Sequence, residues 1–192
     1  MFAFPLPTGR SCVIIIRKAA AERGMRLVIL GIDPGYAIVG YGVLDYRANR
    51  FKVIEYGAVT TEAGMPFNRR LEIIYEGISD IIARNRPQAM AIEKLFYNTN
   101  AKTVIDVAQA RGVIMLAAQQ NRVPACEYTP LQVKQSVVGY GRAEKKQVQE
   151  MTRIILGLEK IPKPDDTADA LAMAICHGHC SGSLMGRLNY LK

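Results

Sequence analysis

The chain has 192 residues, 49% of them hydrophobic and 22% charged, so one domain with a buried core is expected and wholesale disorder is excluded. No apolar run approaches the roughly 20 residues that a membrane-spanning helix needs. The formal charge of +8 favours a polyanionic partner, most commonly nucleic acid, although a merely basic surface accounts for it about as well.

Residues 1–24 contribute +3 of that charge and leave +5 on the rest, so the remainder is basic without them. They hold Pro5, Pro7 and Gly9, a short apolar run from Cys12 to Ile16, and then a basic stretch. The run is too short for a signal-peptide core. The folded domain is therefore expected to span residues 25–181. Residues 1–24 then form a leader outside the fold, and residues 182–192 a flexible tail.

From Leu27 to Ile32 a mostly apolar run ends in Asp33-Pro34-Gly35, which predicts a buried strand followed by a turn. Tyr41 to Tyr46 and Phe51 to Thr60 predict two more strands, joined by a polar hairpin connection. Leu71, Ile74, Tyr75, Ile78, Ile81 and Ile82 recur at helical spacing before Pro87. Ala89 to Ile92 is a short buried strand that ends at Glu93. Thr103 to Gln120 is predicted helical, with Val104, Val107, Ala108, Val113 and Leu116 inward. Val123 to Tyr128 is a fifth strand. Helices follow at Pro130–Val138, Ala143–Leu156 and Asp166–Cys176. Three strands in a meander, then alternating helix and strand, describe a mixed α/β sheet flanked by helices.

The four cysteines form no spaced disulfide framework. Cys176, His177, His179 and Cys180 crowd together. Without a second Cys/His cluster they read as the frayed end of the last helix, not as a zinc knuckle.

The acids carry more information. Asp33 and Glu93 each end an apolar strand, which places a carboxylate at the rim of a sheet. A solvated strand end is the plainer explanation for either one alone. Asp165-Asp166-Thr167-Ala168-Asp169 opens an alanine-rich helix, where Asp165 serves as a cap. Asp166 and Asp169 are three apart and share a helical face. Two carboxylates that close repel each other unless a cation lies between them or one takes a proton. Small residues around them would let the helix approach the sheet edge that carries Asp33 and Glu93. Four clustered carboxylates suit Mg²⁺ or Mn²⁺, and two such ions serve phosphodiester cleavage.

A series of segments resembles the RuvC family of Holliday-junction resolvases, in order and over residues 27–179. They are Ile29 to Gly35 with Gly40 to Val43; Ala91 to Phe96; Gln109 to Val113; Glu127-Tyr128 with Gln132 to Gln135 and Val137 to Gly141; Ala143 to Val148; and Asp166 to Ala172. The resemblance implies an RNase H-like five-stranded mixed sheet flanked by helices. It implies a homodimer that nicks two opposed strands of a four-way DNA junction with Mg²⁺, two ions per site, or Mn²⁺ as a substitute; the cysteine usage and the lack of a membrane-length apolar run point to a soluble protein in the reducing cytoplasm. It implies the branch-migration proteins RuvA and RuvB as partners. Asp33, Glu93, Asp166 and Asp169 match the family's acidic metal ligands, and Asp165 matches none. Lys134 and Lys145 match functional basic positions, and Phe96 matches an aromatic that stacks on a base near the junction centre. Arg111 and Lys102 are expected phosphate contacts. The helix from Thr103 to Gln120 is the expected dimer face.

Three other readings of the same residues remain open on sequence, one of them a non-catalytic junction-binding protein, which would need a missing ligand although all four acids are present. Gly31 to Gly35 also resembles the phosphate turn of actin- and sugar-kinase-like ATPases, which need a second lobe that the chain lacks. A general RNase H-like nuclease acting on RNA–DNA hybrids would use the same four acids.

Overall fold

A computed structural model describes residues 26–95 and 101–182. Five strands form one sheet: β1 (Leu27–Asp33), β2 (Ile38–Arg47), β3 (Arg50–Thr60), β4 (Ala89–Glu93) and β5 (Ala125–Tyr128), in the order β3-β2-β1-β4-β5. The first three make the antiparallel meander, and β4 and β5 run parallel to β1. The mixed sheet is as the patterning predicts. The β2–β3 connection is tight because Ala48 and Asn49 both take positive φ, 49° and 61°, the conformation of a two-residue hairpin turn.

Among the described residues, five helices flank the sheet: α1 (Phe67–Asn85), α2 (Ala101–Gln120), α3 (Pro130–Val138), α4 (Lys145–Leu156) and α5 (Asp165–Gly182). Strand alternation divides them between two layers. Val28, Leu30 and Ile32 of β1, with Met90 and Ile92 of β4, face α1 and α2. Ile29 and Ala91 point the other way, into a second core with α3, α4 and α5. α3 begins with a reciprocal cap: Thr129 Oγ1 accepts from the Gln132 N–H at 3.1 Å, and Gln132 Oε1 accepts from the Thr129 N–H at 2.8 Å. α4 starts two residues later than predicted because Glu144 is its cap, its N–H donating to Gln147 Oε1 at 2.8 Å.

Two expectations are corrected. On α2 the residues turned to the core are Ala110, Ile114, Ala117 and Ala118, whereas Ala108 and Leu116 are exposed. The small side of the helix packs, because alanines let it lie close against the bulky Ile74, Ile78 and Ile81 of α1. The last helix is also not frayed at its cysteines and histidines. Cys176 and His177 are buried, the Tyr128 hydroxyl and His177 Nδ1 share a hydrogen bond of 2.8 Å, and His179 lies edge-on to Phe51 with ring centres 5.3 Å apart. β5 and the hairpin therefore hold the helix well past Cys176. Burial pushes the His177 imidazole down to about 4, so it is neutral at physiological pH. No described helix is long and apolar enough to cross a membrane.

Candidate active site

Asp33 and Glu93 become neighbours through sheet register. Ile32 of β1 pairs with Ile92 of the parallel β4, so the next residue on each strand is an acid at the same carboxyl end. Both share the alternation of Ile29 and Ala91, which face the α5 layer.

Glycines bring α5 onto this rim. Gly31 pairs with Gly42, and Asp33 with Gly40, across β1 and β2. A Cβ at Gly31 would collide with the Ala170 carbonyl oxygen, and one at Gly40 with the Asp166 carbonyl. The helix backbone thus rests directly on the strands, with Ala168, Ala170 and Ala174 fully buried. Its first turn lands over the Asp33–Gly40 rung and carries Asp166 and Asp169 there. The Thr167 hydroxyl secures it, donating to the Gly57 carbonyl at 3.1 Å.

The outcome is an acidic cleft. Asp33, Glu93 and Asp169 line it together with Lys134 of α3 and Lys145 of α4, between walls of Pro130, Val133 and Val148. Asp166 is not among the lining residues, but its charge acts on both Asp33 and Asp169. Asp165 is turned to Lys163, 2.5 Å away. Burial, reinforced by Asp169, Glu93 and Asp166, pushes the Asp33 carboxyl up to about 8. Burial raises Glu93 and Asp169 as well. The Lys145 ammonium opposes these charges, 2.7 Å from Asp169 Oδ2. Such a carboxylate set is held together against its own repulsion, and a cation relieves that repulsion.

The donor chemistry fits a hard divalent cation. All the candidate ligands are carboxylate oxygens, as Mg²⁺ and Mn²⁺ prefer. Among the described residues, no three acid, imidazole or thiol groups converge on one coordination point. That arrangement is compatible with Mg²⁺, which uses one or two carboxylates and completes its shell with water and substrate phosphate.

Arg111 has an internal role. Its Nε donates to the Glu93 carbonyl oxygen at 3.2 Å and its guanidinium pairs with Glu127. Only 15% of its side chain is exposed. It ties α2 to the ends of β4 and β5 and fixes the backbone that carries Glu93. Phe96 and the side chain of Lys102 lie outside the described residues. Sequence reasoning missed the positioning role of Gly31, Gly40 and Gly42. Their signal was visible as glycines at alternate positions in strands, where a side chain would normally pack.

An acid- and lysine-lined cleft at the carboxyl ends of two parallel strands, on a sheet of this order, defines an RNase H-like nuclease. The family model for crossover junction endodeoxyribonuclease RuvC matches residues 29–177. The chain belongs to the RuvC family. It is 60% identical over 153 residues to crossover junction endodeoxyribonuclease RuvC of Clostridioides difficile, covering 80% of this chain and 90% of that relative. The corresponding protein of Caldanaerobacter subterraneus is 57% identical over 162 residues, covering 84% of this chain and 98% of its own. Among solved structures, T. thermophilus RuvC in complex with Holliday junction substrate superposes with a TM-score of 0.78 at 35% identity, covering 83% of this chain and 96% of that one. The yeast mitochondrial resolvase Ydc2, with a TM-score of 0.64 at 14% identity, shares the fold.

Proposed function

We propose that the chain resolves Holliday junctions in recombination and DNA repair by nicking two opposed strands symmetrically. One observation carries the reading: on a RuvC-family chain, three acids and two lysines share one cleft at the rim of the sheet. The T. thermophilus relative bound to Holliday junction substrate supports the choice of DNA.

Asp33, Glu93, Asp166 and Asp169 would hold Mg²⁺, two ions per site, with Mn²⁺ as a substitute. Bound there, the cations supply activation of water and charge compensation at the scissile phosphate. Asp33 is more deeply buried than Glu93 and Asp169 and gains more than they do from a cation. Lys145, paired with Asp169 at the cleft, would also reach phosphate charge there. Lys134 faces the same cleft and steers the strand by its phosphates. Phe96 stacks on a base near the junction centre and Lys102 contacts phosphate; both assignments rest on the family resemblance.

The chain works as a homodimer, because a four-way junction offers two equivalent strands related by a two-fold axis. Ile105, Ala108, Gly112 and Leu116 form an exposed strip along α2 at spacings of three and four residues. That strip is the proposed dimer face. RuvA and RuvB are the proposed partners, and the cytoplasm the proposed location.

The test is cleavage of a synthetic mobile four-way junction with Mg²⁺, in competition with an RNA–DNA hybrid. Paired symmetric nicks in the junction are expected. Preferential cutting of the hybrid would favour the general RNase H-like reading instead. We also place the nuclease domain at residues 25–181, because the family match begins at residue 29. A chain starting at Met25 is expected to cleave junctions at the full-length rate, and a large loss of rate would assign residues 1–24 a role in catalysis.

A further inference from the structure

Leu131 and Tyr140 are large apolar side chains left 54% and 47% exposed. Single exposed hydrophobics are ordinary and need no explanation. These two sit on different elements, the first turn of α3 and the loop after it, yet the chain brings them together. α3 ends at Gly139, whose φ of 93° turns the chain back. The next glycine then lies against the helix: a Cβ at Gly141 would run into Leu131, with Gln135 beside it. Tyr140 is therefore adjacent to backbone packed on Leu131.

Two observations give this pair a direction. The first is place. Pro130, Val133 and Lys134 of α3 line the acidic cleft. Leu131 follows Pro130 and stands three residues before Lys134, so it borders the strip of helix that faces the cleft. The second is charge. Arg142, Lys145 and Lys146 are exposed just beyond Tyr140, and Lys145 reaches the cleft acid Asp169. Along the chain Lys134 lies between the two apolar residues, and these cations follow Tyr140. A nucleic-acid strand complements both parts, with phosphates for the cations and a base face for the ring and the leucine.

We propose that Leu131 and Tyr140 form a base-contact platform beside the catalytic cleft, on which an unpaired base of the DNA strand entering the cleft stacks. The platform rests on the reading of the cleft as the place of strand cleavage. It adds an aromatic contact on the α3 side of the cleft.

The experiment uses the full chain and a four-way junction with 2-aminopurine at successive positions around the mapped cleavage site. Fluorescence is read in complexes of the Asp33→Asn background. Quenching is expected at one or two adjacent positions. Tyr140→Ala removes it and Tyr140→Phe keeps it. In cleavage by otherwise wild-type chains, Tyr140→Ala combined with Leu131→Ala raises KM about tenfold, the order expected for one lost stacked base, while kcat stays within about twofold. The platform is overturned if no position changes with Tyr140→Ala, or if kcat falls with KM unchanged. It is also overturned if the double variant alters the oligomeric state instead, which would mark the pair as a contact between copies. If the unaltered chain cuts no junction at all, the proposed function fails and takes the platform with it. If it cuts normally and the variants change nothing, the platform alone fails.

Discussion

Asp33→Asn stops junction cleavage, by on the order of 10³-fold or more in kcat, and leaves junction binding intact. The magnitude follows from removing a principal charge at the centre of an electrostatically driven reaction. The amide keeps the shape of the carboxyl at the end of β1, so the cleft stays formed. Binding depends mainly on phosphate contacts elsewhere and should survive. Gel-shift and single-turnover cleavage on the same junction separate the two effects. Cleavage by Asp33→Asn at the wild-type rate would falsify the assigned role.

The same substitution has a pH signature. Without metal, the Asp33 carboxyl is raised to about 8, chiefly by burial and then by Asp169, Glu93 and Asp166. The folded chain therefore keeps a proton that the unfolded chain has already released above its ordinary carboxyl range. Stability from this group is full below about pH 4 and is lost as pH rises through about 8. At about 1.4 kcal/mol for each pH unit that separates the folded from the unfolded carboxyl, the loss is on the order of a few kcal/mol. Metal-free wild type should lose melting temperature relative to Asp33→Asn between those pH values. Mg²⁺ competes with the proton, so its stabilising effect should grow with pH over the same window. Parallel melting curves for the two chains, with and without Mg²⁺, at pH 5.5 and 8.5 would argue against a protonated Asp33.

Gly40→Val is the second large effect. A Cβ at this position meets the carbonyl oxygen and carbon of Asp166 and the nitrogen of Thr167, which are backbone atoms without a rotamer to yield. The first turn of α5 must lift or β2 must shift, at a cost of about 3 kcal/mol. Gly40 is also the strand partner of Asp33, so any displacement separates Asp33 from Asp166 and Asp169. Loss of cleavage should therefore exceed what the unfolded fraction explains. Denaturant unfolding and cleavage measured on the folded fraction report the two losses separately. Wild-type stability together with wild-type cleavage would mean that α5 does not depend on backbone contact with β2.

The strands, the meander and most helix positions were legible in local pattern. Alternation and helical spacing act within one element, and core-facing residues such as Leu30, Ile74 and Ile92 obey them. The same logic went astray on α2. Spacing defines an apolar strip, but which strip packs depends on the neighbour, and α1 accepts the alanine side. Ala108 and Leu116 therefore face outward.

The acidic site divides in the same way. By itself the sequence determined that Asp33 and Glu93 end buried strands and that Asp166 and Asp169 share one face at a helix start. It also determined the family, because ordered motifs survive any uncertainty about contacts. Only the tertiary structure decided how these acids meet. The β1–β4 register aligns Asp33 with Glu93, and glycines at 31, 40 and 42 let α5 press its first turn onto that rim. It also decided that Asp169 lines the cleft with Lys145 while Asp166 is not among the lining residues, and that Arg111 anchors Glu93. The reason is physical: strand ends and helix faces are local properties, whereas register, close approach and ion pairing are set by residues distant in the chain.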